Sequence, residues 1–103
     1  MSNYYPDEVI EEVRLSNDIV DVVGEYVKLQ KKGKVYFGLC PFHNEKTPSF
    51  NVVPSGQYFN CFGCGRAGNV FQFIQLAENL DFVEAVKLLA DRAHITLPEG
   101  NSA

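Results

Sequence analysis

Two short ligand pairs constrain this chain more than any other feature: Cys40-Pro41-Phe42-His43, then seventeen residues, then Cys61-Phe62-Gly63-Cys64. Pairs with two-residue gaps separated by about 15–20 residues have the spacing of a structural zinc site. Each gap folds into a tight loop that turns both ligand atoms toward one centre, and Gly63 and Gly65 permit the backbone angles of the second loop. Cys40, His43, Cys61 and Cys64 close a tetrahedron around one Zn²⁺ and leave no vacancy for a reacting water, so the expected site is structural and no catalytic residue is assigned. The rival, a Cys61–Cys64 redox pair, wants a βαβ unit beside it, and the pattern offers none. His94 has no ligand partner nearby in sequence; its expected role is at a helix C-terminus.

The chain around this motif is 103 residues long, enough for one domain. Folding at this size buries only about two-thirds of the unfolded surface, which makes help from a metal natural. Three cysteines, an odd number, argue against a disulfide framework. Every apolar stretch is interrupted long before a membrane span would be complete, and the first eight residues lack the basic and apolar regions of a secretory signal. The expected location is the cytoplasm, away from any membrane.

The net charge of −4 conceals a change of sign along the chain. Residues 1–27 carry one base and seven acids; residues 28–66 carry Lys28, Lys31, Lys32, Lys34, Lys46 and Arg66 against Glu45 alone. Three thiolates and a neutral imidazole leave a zinc site with a single net negative charge, so any attraction for phosphate must come from these bases. Interleaved with Tyr36, Phe42, Tyr58 and Phe62, they form a candidate nucleic-acid face in which lysines hold phosphates and rings stack on unpaired bases. The alternative is a solvated hairpin with its rings turned inward, and core packing is the expectation for Phe37, Phe50 and Phe59.

The periodicity predicts α+β architecture, a small antiparallel sheet with short flanking helices. Pro6, the acids after it and Val9, Ile10 and Val13 predict a first helix; Ser16 and Asn17 re-cap the chain, and Ile19, Val22 and Val23 predict a second, stopped by Gly24. Alternation from Tyr26 then predicts two strands joined by a turn at Lys31-Lys32-Gly33-Lys34, with Val27, Leu29, Val35, Phe37 and Leu39 inward and Lys28, Gln30, Lys34 and Tyr36 outward. Residues 49–53 and 57–62 form a second hairpin about Pro54-Ser55-Gly56. Asn69 caps a third helix, and Asp81 with Glu84 resembles a capping box opening a fourth. Residues 98–103 read as linker.

The runs Tyr36-Phe37-Gly38-Leu39-Cys40-Pro41-Phe42-His43-Asn44-Glu45-Lys46-Thr47-Pro48-Ser49-Phe50 and Cys61-Phe62-Gly63-Cys64-Gly65-Arg66-Ala67-Gly68-Asn69-Val70 resemble the N-terminal zinc-binding domain of bacterial replicative DNA primases of the DnaG type. The likeness extends over roughly residues 6–95, through Asp18-Ile19-Val20-Asp21-Val22-Val23-Gly24 upstream and Phe82-Val83-Glu84-Ala85-Val86 downstream. It implies a zinc ribbon over residues 1–97, followed from residue 98 by a linker to an RNA polymerase domain that this sequence does not contain.

It further implies engagement of single-stranded template and recognition of an initiation sequence during RNA primer synthesis, with the nucleotidyl transfer done by the polymerase domain of the same or a neighbouring chain. A replicative helicase is the implied partner of the full-length protein through a region absent here, and the isolated domain is expected to be a monomer. Carried over residue by residue, Cys40, His43, Cys61 and Cys64 match the zinc ligands, Lys28, Lys34, Lys46 and Arg66 a basic ridge, and Tyr58 and Phe62 positions beside the site suited to base stacking. Thr47 and Pro48 look structural. The alternatives are the zinc domain of a phage or plasmid primase-helicase, a transcription-type ribbon, or a zinc-stabilised protein-interaction module.

Overall fold

A computed structural model describes residues 5–42 and 48–97. The element order is α1 (Asp7–Leu15), α2 (Ile19–Gly24), β1 (Gln30–Lys32), β2 (Val35–Gly38), β3 (Phe50–Val53), β4 (Tyr58–Cys61), β5 (Ala67–Gly68), α3 (Val70–Glu78) and α4 (Phe82–Arg92). The five strands pair antiparallel in chain order, a meander. The architecture is α+β, as the periodicity predicts.

Local side-chain caps start α2, α3 and α4. The Asp18 carboxylate accepts from the Val20 N–H and the Asp81 carboxylate from the Glu84 N–H, both at 2.8 Å. The reciprocal capping box forms at α3, where Asn69 accepts from the Phe71 and Gln72 N–H groups and Gln72 Oε1 accepts from the Asn69 N–H. Asn17 does not re-cap the chain. It is buried, and its Nδ2 donates to the Val13 and Leu89 carbonyls at 2.9 Å each, which ties the end of α1 to α4.

The core lies between the helices and one face of the sheet. Phe50, Val52 and Phe59 are fully buried there, and Phe73 of α3 meets Phe50 and Phe59 with ring centroids 6.1 and 5.7 Å away. Phe50 and Phe59 stack at 5.5 Å. Large rings of this kind dominate burial in a small domain.

The expected inward and outward assignment of the first hairpin is inverted in β2. Tyr36 pairs with buried Val52 and packs against the core, whereas Phe37 pairs with Asn51 on the opposite face and Leu39 is 48% exposed. Gly38 sets this parity. A Cβ on Gly38 would lie 2.8 Å from Val27 Cγ1 and 2.9 Å from the Lys28 carbonyl oxygen, so the chain entering β1 crosses too close for any side chain. With Gly38 on the core face, side-chain alternation places Tyr36 inward and Phe37 outward.

Other boundaries also shift. The Tyr26 and Val27 N–H groups both donate to the Val23 carbonyl, prolonging the α2 turn, so the sheet begins at Gln30 instead of Tyr26. Gly24 is the last helical residue, with Glu25 as C-cap. Lys31 and Lys32 lie within β1 and the turn narrows to Gly33-Lys34, with Gly33 at φ +66°, the sign a type II′ hairpin needs at its first central residue. The second turn puts its positive φ, +55°, on Gln57, whose Oε1 accepts from the Ile19 N–H and so links the β3–β4 hairpin to α2. β5 has no counterpart in the sequence pattern.

Gly38→Ala should destabilise the domain by about 1–3 kcal/mol, as overpacking a filled site does; thermal melting of the variant checks this. A second expectation concerns Tyr26, whose hydroxyl donates to Glu78 Oε2 at 2.6 Å. Burial first, then this bond and the negative charge of Glu78, push its pKa up to about 12. The fold thus favours the neutral phenol, a contribution fully present below about pH 10 and lost as pH rises through about 12. Tyr26→Phe should flatten that part of the alkaline stability profile, measured by melting from about pH 9 to about pH 12.

Candidate metal centre and the surrounding surface

Cys40 follows β2, Cys61 closes β4, and Cys64 ends the turn after it, so the sheet brings the two halves of the motif to one end. The three sulfurs lie within 4.8 Å of one another. Cys40 Sγ and Cys64 Sγ are 3.7 Å apart, close to the edge of about 3.8 Å that Zn–S bonds of about 2.3 Å give a tetrahedron. Cys40 and Cys61 are buried and Cys64 is partly exposed. His43 and Lys46 lie outside the described residues.

Backbone bonds hold the second loop. The Gly65 N–H donates to the Cys61 carbonyl at 2.7 Å, the Cys61 N–H to the Arg66 carbonyl at 2.8 Å, and the Phe62 N–H to the Ser49 carbonyl at 2.9 Å. Gly65 takes φ +80°, a left-handed value that suits glycine. Ser49 Oγ is 3.7 Å from Cys61 Sγ and the Phe42 N–H points at Cys40 Sγ from 3.5 Å, contacts that orient the sulfurs. Burial pushes the Cys40 thiol up to about 12, the Phe42 amide working against it and the neighbouring thiols adding to it. Three converging sulfurs need a cation to be thiolates together, and a soft-ligand set of this shape fits Zn²⁺.

Phe42, between the ligand positions, turns inward. Its ring is 5.6 to 6.2 Å from those of Phe50, Phe59 and Phe73, so it caps the core instead of joining an exposed surface. The Arg66 guanidinium lies over the outer side of that ring, 5.8 Å from its centroid, and bridges the two loops by a cation–π contact.

Four lysines gather at the β1 edge of the sheet. Lys28, Lys31, Lys32 and Lys34 are exposed on and before the β1–β2 hairpin, and Lys28, Lys31 and Lys32 line a cleft of about 760 Å³ with Gln30, Phe37 and Leu39. Tyr58 is exposed on the sheet face that carries Phe37. Phe62 is 74% exposed between Cys61 and Cys64. Tyr36 is turned to the core face, so the structure does not bring it together with Tyr58. The sequence pattern places Gln30 outward but Phe37 inward; the register, Gln30 opposite Phe37, shows that they share the outer face.

No described helix is long and apolar enough to cross a membrane. The profile of the CHC2 zinc finger family matches residues 5–103. The DNA primase of Halalkalibacterium halodurans is 57% identical over 99 residues, covering 96% of this chain and 16% of that protein. The DNA primase of Geobacillus stearothermophilus is 56% identical over 97 residues, with 94% and 16% covered. The crystal structure of the Aquifex aeolicus primase, comprising zinc-binding and RNA polymerase domains, superposes with a TM-score of 0.85 at 43% identity, over the whole of this chain and 24% of that one. The chain thus spans about one-sixth of the length of these primase relatives.

Cys61→Ser should abolish tight metal binding and lower the melting temperature by on the order of 10 °C or more, because metal binding and folding share one free energy in such sites. Metal analysis and melting of the same sample check it; full metal content with unchanged melting is the contrary outcome.

Proposed function

Because the chain belongs to the CHC2 zinc finger family, we propose that it is the template-engaging zinc module of a bacterial DNA primase. One Zn²⁺, held by Cys40, His43, Cys61 and Cys64, has a structural role, and the module performs no nucleotidyl transfer itself. Residues 1–97 constitute this module and residues 98–103 begin the linker to the RNA polymerase domain. That domain, in the same or a neighbouring chain, makes the RNA primer, while the zinc module holds single-stranded DNA and contributes to recognising where synthesis starts. The replicative helicase engages the full-length protein elsewhere. The isolated module works as a monomer, and the primase acts in the cytoplasm.

The observation that carries this reading is the cluster of four exposed lysines, three of which, Lys28, Lys31 and Lys32, line a cleft that also contains an aromatic ring, Phe37. Lys28, Lys31, Lys32 and Lys34 supply a local positive field in a protein of net charge −4, and the nearest acid in sequence after them is Glu45. Phosphates neutralised by lysines release counterions, and bases freed from pairing stack on rings such as Phe37 and Tyr58. Lys46, Phe62 and Arg66 extend the proposed path past the metal end, with Arg66 contributing while it rests on Phe42. Tyr36, which faces the core, acts through the packing of β2 and not by direct stacking.

Fluorescence anisotropy with a single-stranded oligonucleotide across a salt series tests this. Lys34→Ala should leave melting nearly unchanged, weaken binding, and reduce the slope of log K against log salt by about 0.7, the value for one phosphate contact on a single strand. Binding insensitive to salt would contradict the phosphate-based path.

A further inference from the structure

The face of the sheet opposite the helices carries one unbroken row of side chains. Gln30 pairs with Phe37, Phe37 with Asn51, Asn51 with Asn60, and Asn60 with Ala67, so the row crosses all five strands in register. Strands lie about 4.8 Å apart, which gives the row a length of about 19 Å. It contains three primary amides and one aromatic ring.

The amides differ in what they already do. Asn51 is 6% exposed, and its Nδ2 points at the Ser49 and Asn60 carbonyls from 3.3 and 3.5 Å, so it is committed to holding β3 in place. Gln30 is exposed and Asn60 half-buried, and neither side chain has a hydrogen-bond partner among the described residues. An amide offers a donor and an acceptor side by side, the pattern that matches the edge of a nucleic-acid base bidentately. Phe37 stands between Gln30 and the two asparagines, and it shares its cleft with Gln30 and Lys32.

We propose that Gln30 and Asn60 are specificity-determining residues that read base edges of the single-stranded template, with Phe37 as the stacking platform between them. This rests on the template-binding reading above and assigns its selectivity to residues that carry no charge. Lysines at the hairpin hold phosphates and are indifferent to sequence; the amides lie on the face where the bases of the same strand would lie. Base discrimination and electrostatic affinity therefore reside in different side chains of one surface.

The two contributions separate experimentally. Binding of this chain to oligonucleotides of a single base type, dT, dC and dA, is measured at fixed salt and across a salt series. The wild type should prefer one base. Asn60→Ala and Gln30→Ala should each reduce that preference by about tenfold, within the range of one bidentate base contact, and leave the salt slope unaltered. Lys32→Ala should do the reverse. Melting of each variant controls for folding, since neither amide has a hydrogen-bond partner to lose among the described residues. Absence of salt-sensitive binding in the wild type would refute the template-binding reading itself. Salt-sensitive binding without base preference, or a preference that survives both substitutions, would overturn the amide assignment alone.

Discussion

Convergence of three cysteine sulfurs at one end of the sheet is the constraint on which the remainder of the molecule depends. Cys40 and Cys61 belong to the same buried cluster as Phe50, Phe59 and Phe73, and Cys61 pairs directly with Phe50 across β3 and β4. Metal site and aromatic core are thus one continuous unit. A sheet of strands two to four residues long has little burial of its own to hold its edges. A metal held by Cys40, Cys61 and Cys64 would cross-link the end of β2 to the turn after β4 and supply what those strands cannot.

That closure determines which surface remains for work. Helices α2 and α3 pack against the face bearing Phe50, Val52 and Phe59, and α4 and α1 stack behind them. The other face keeps Phe37, Tyr58 and the amide row, and the lysine hairpin forms its border. Burial and, in the proposed function, recognition are therefore allotted to opposite sides of the same strands by side-chain alternation. Arg66 connects the two regions by resting on Phe42, itself an inward cap on the core.

Much of this was legible in the sequence. The ligand spacing predicts the meeting of Cys40, Cys61 and Cys64, and the caps Asn69 and Asp81 mark the starts of α3 and α4 because a side-chain oxygen two or three residues ahead of free N–H groups is a local signal; at α2 the cap is Asp18, not the expected Ser16 or Asn17. What escaped pattern is non-local. In Val35-Tyr36-Phe37-Gly38-Leu39 four of the five residues are apolar, so alternation cannot choose a face; the approach of Val27 and Lys28 to Gly38 chooses it. Likewise the bond from the Ile19 N–H to Gln57 spans 38 residues, and β5 is two residues long. The expectation of Tyr36 outside and Phe37 inside is consequently the reverse of their positions.

X-ray absorption at the zinc edge on the purified chain tests the metal closure most directly. The account predicts one zinc per chain with three sulfurs at about 2.3 Å and one nitrogen at about 2.0 Å, the set Cys40, His43, Cys61 and Cys64. A first shell with fewer than three sulfurs, an oxygen in place of the nitrogen, or a folded chain free of zinc would contradict it.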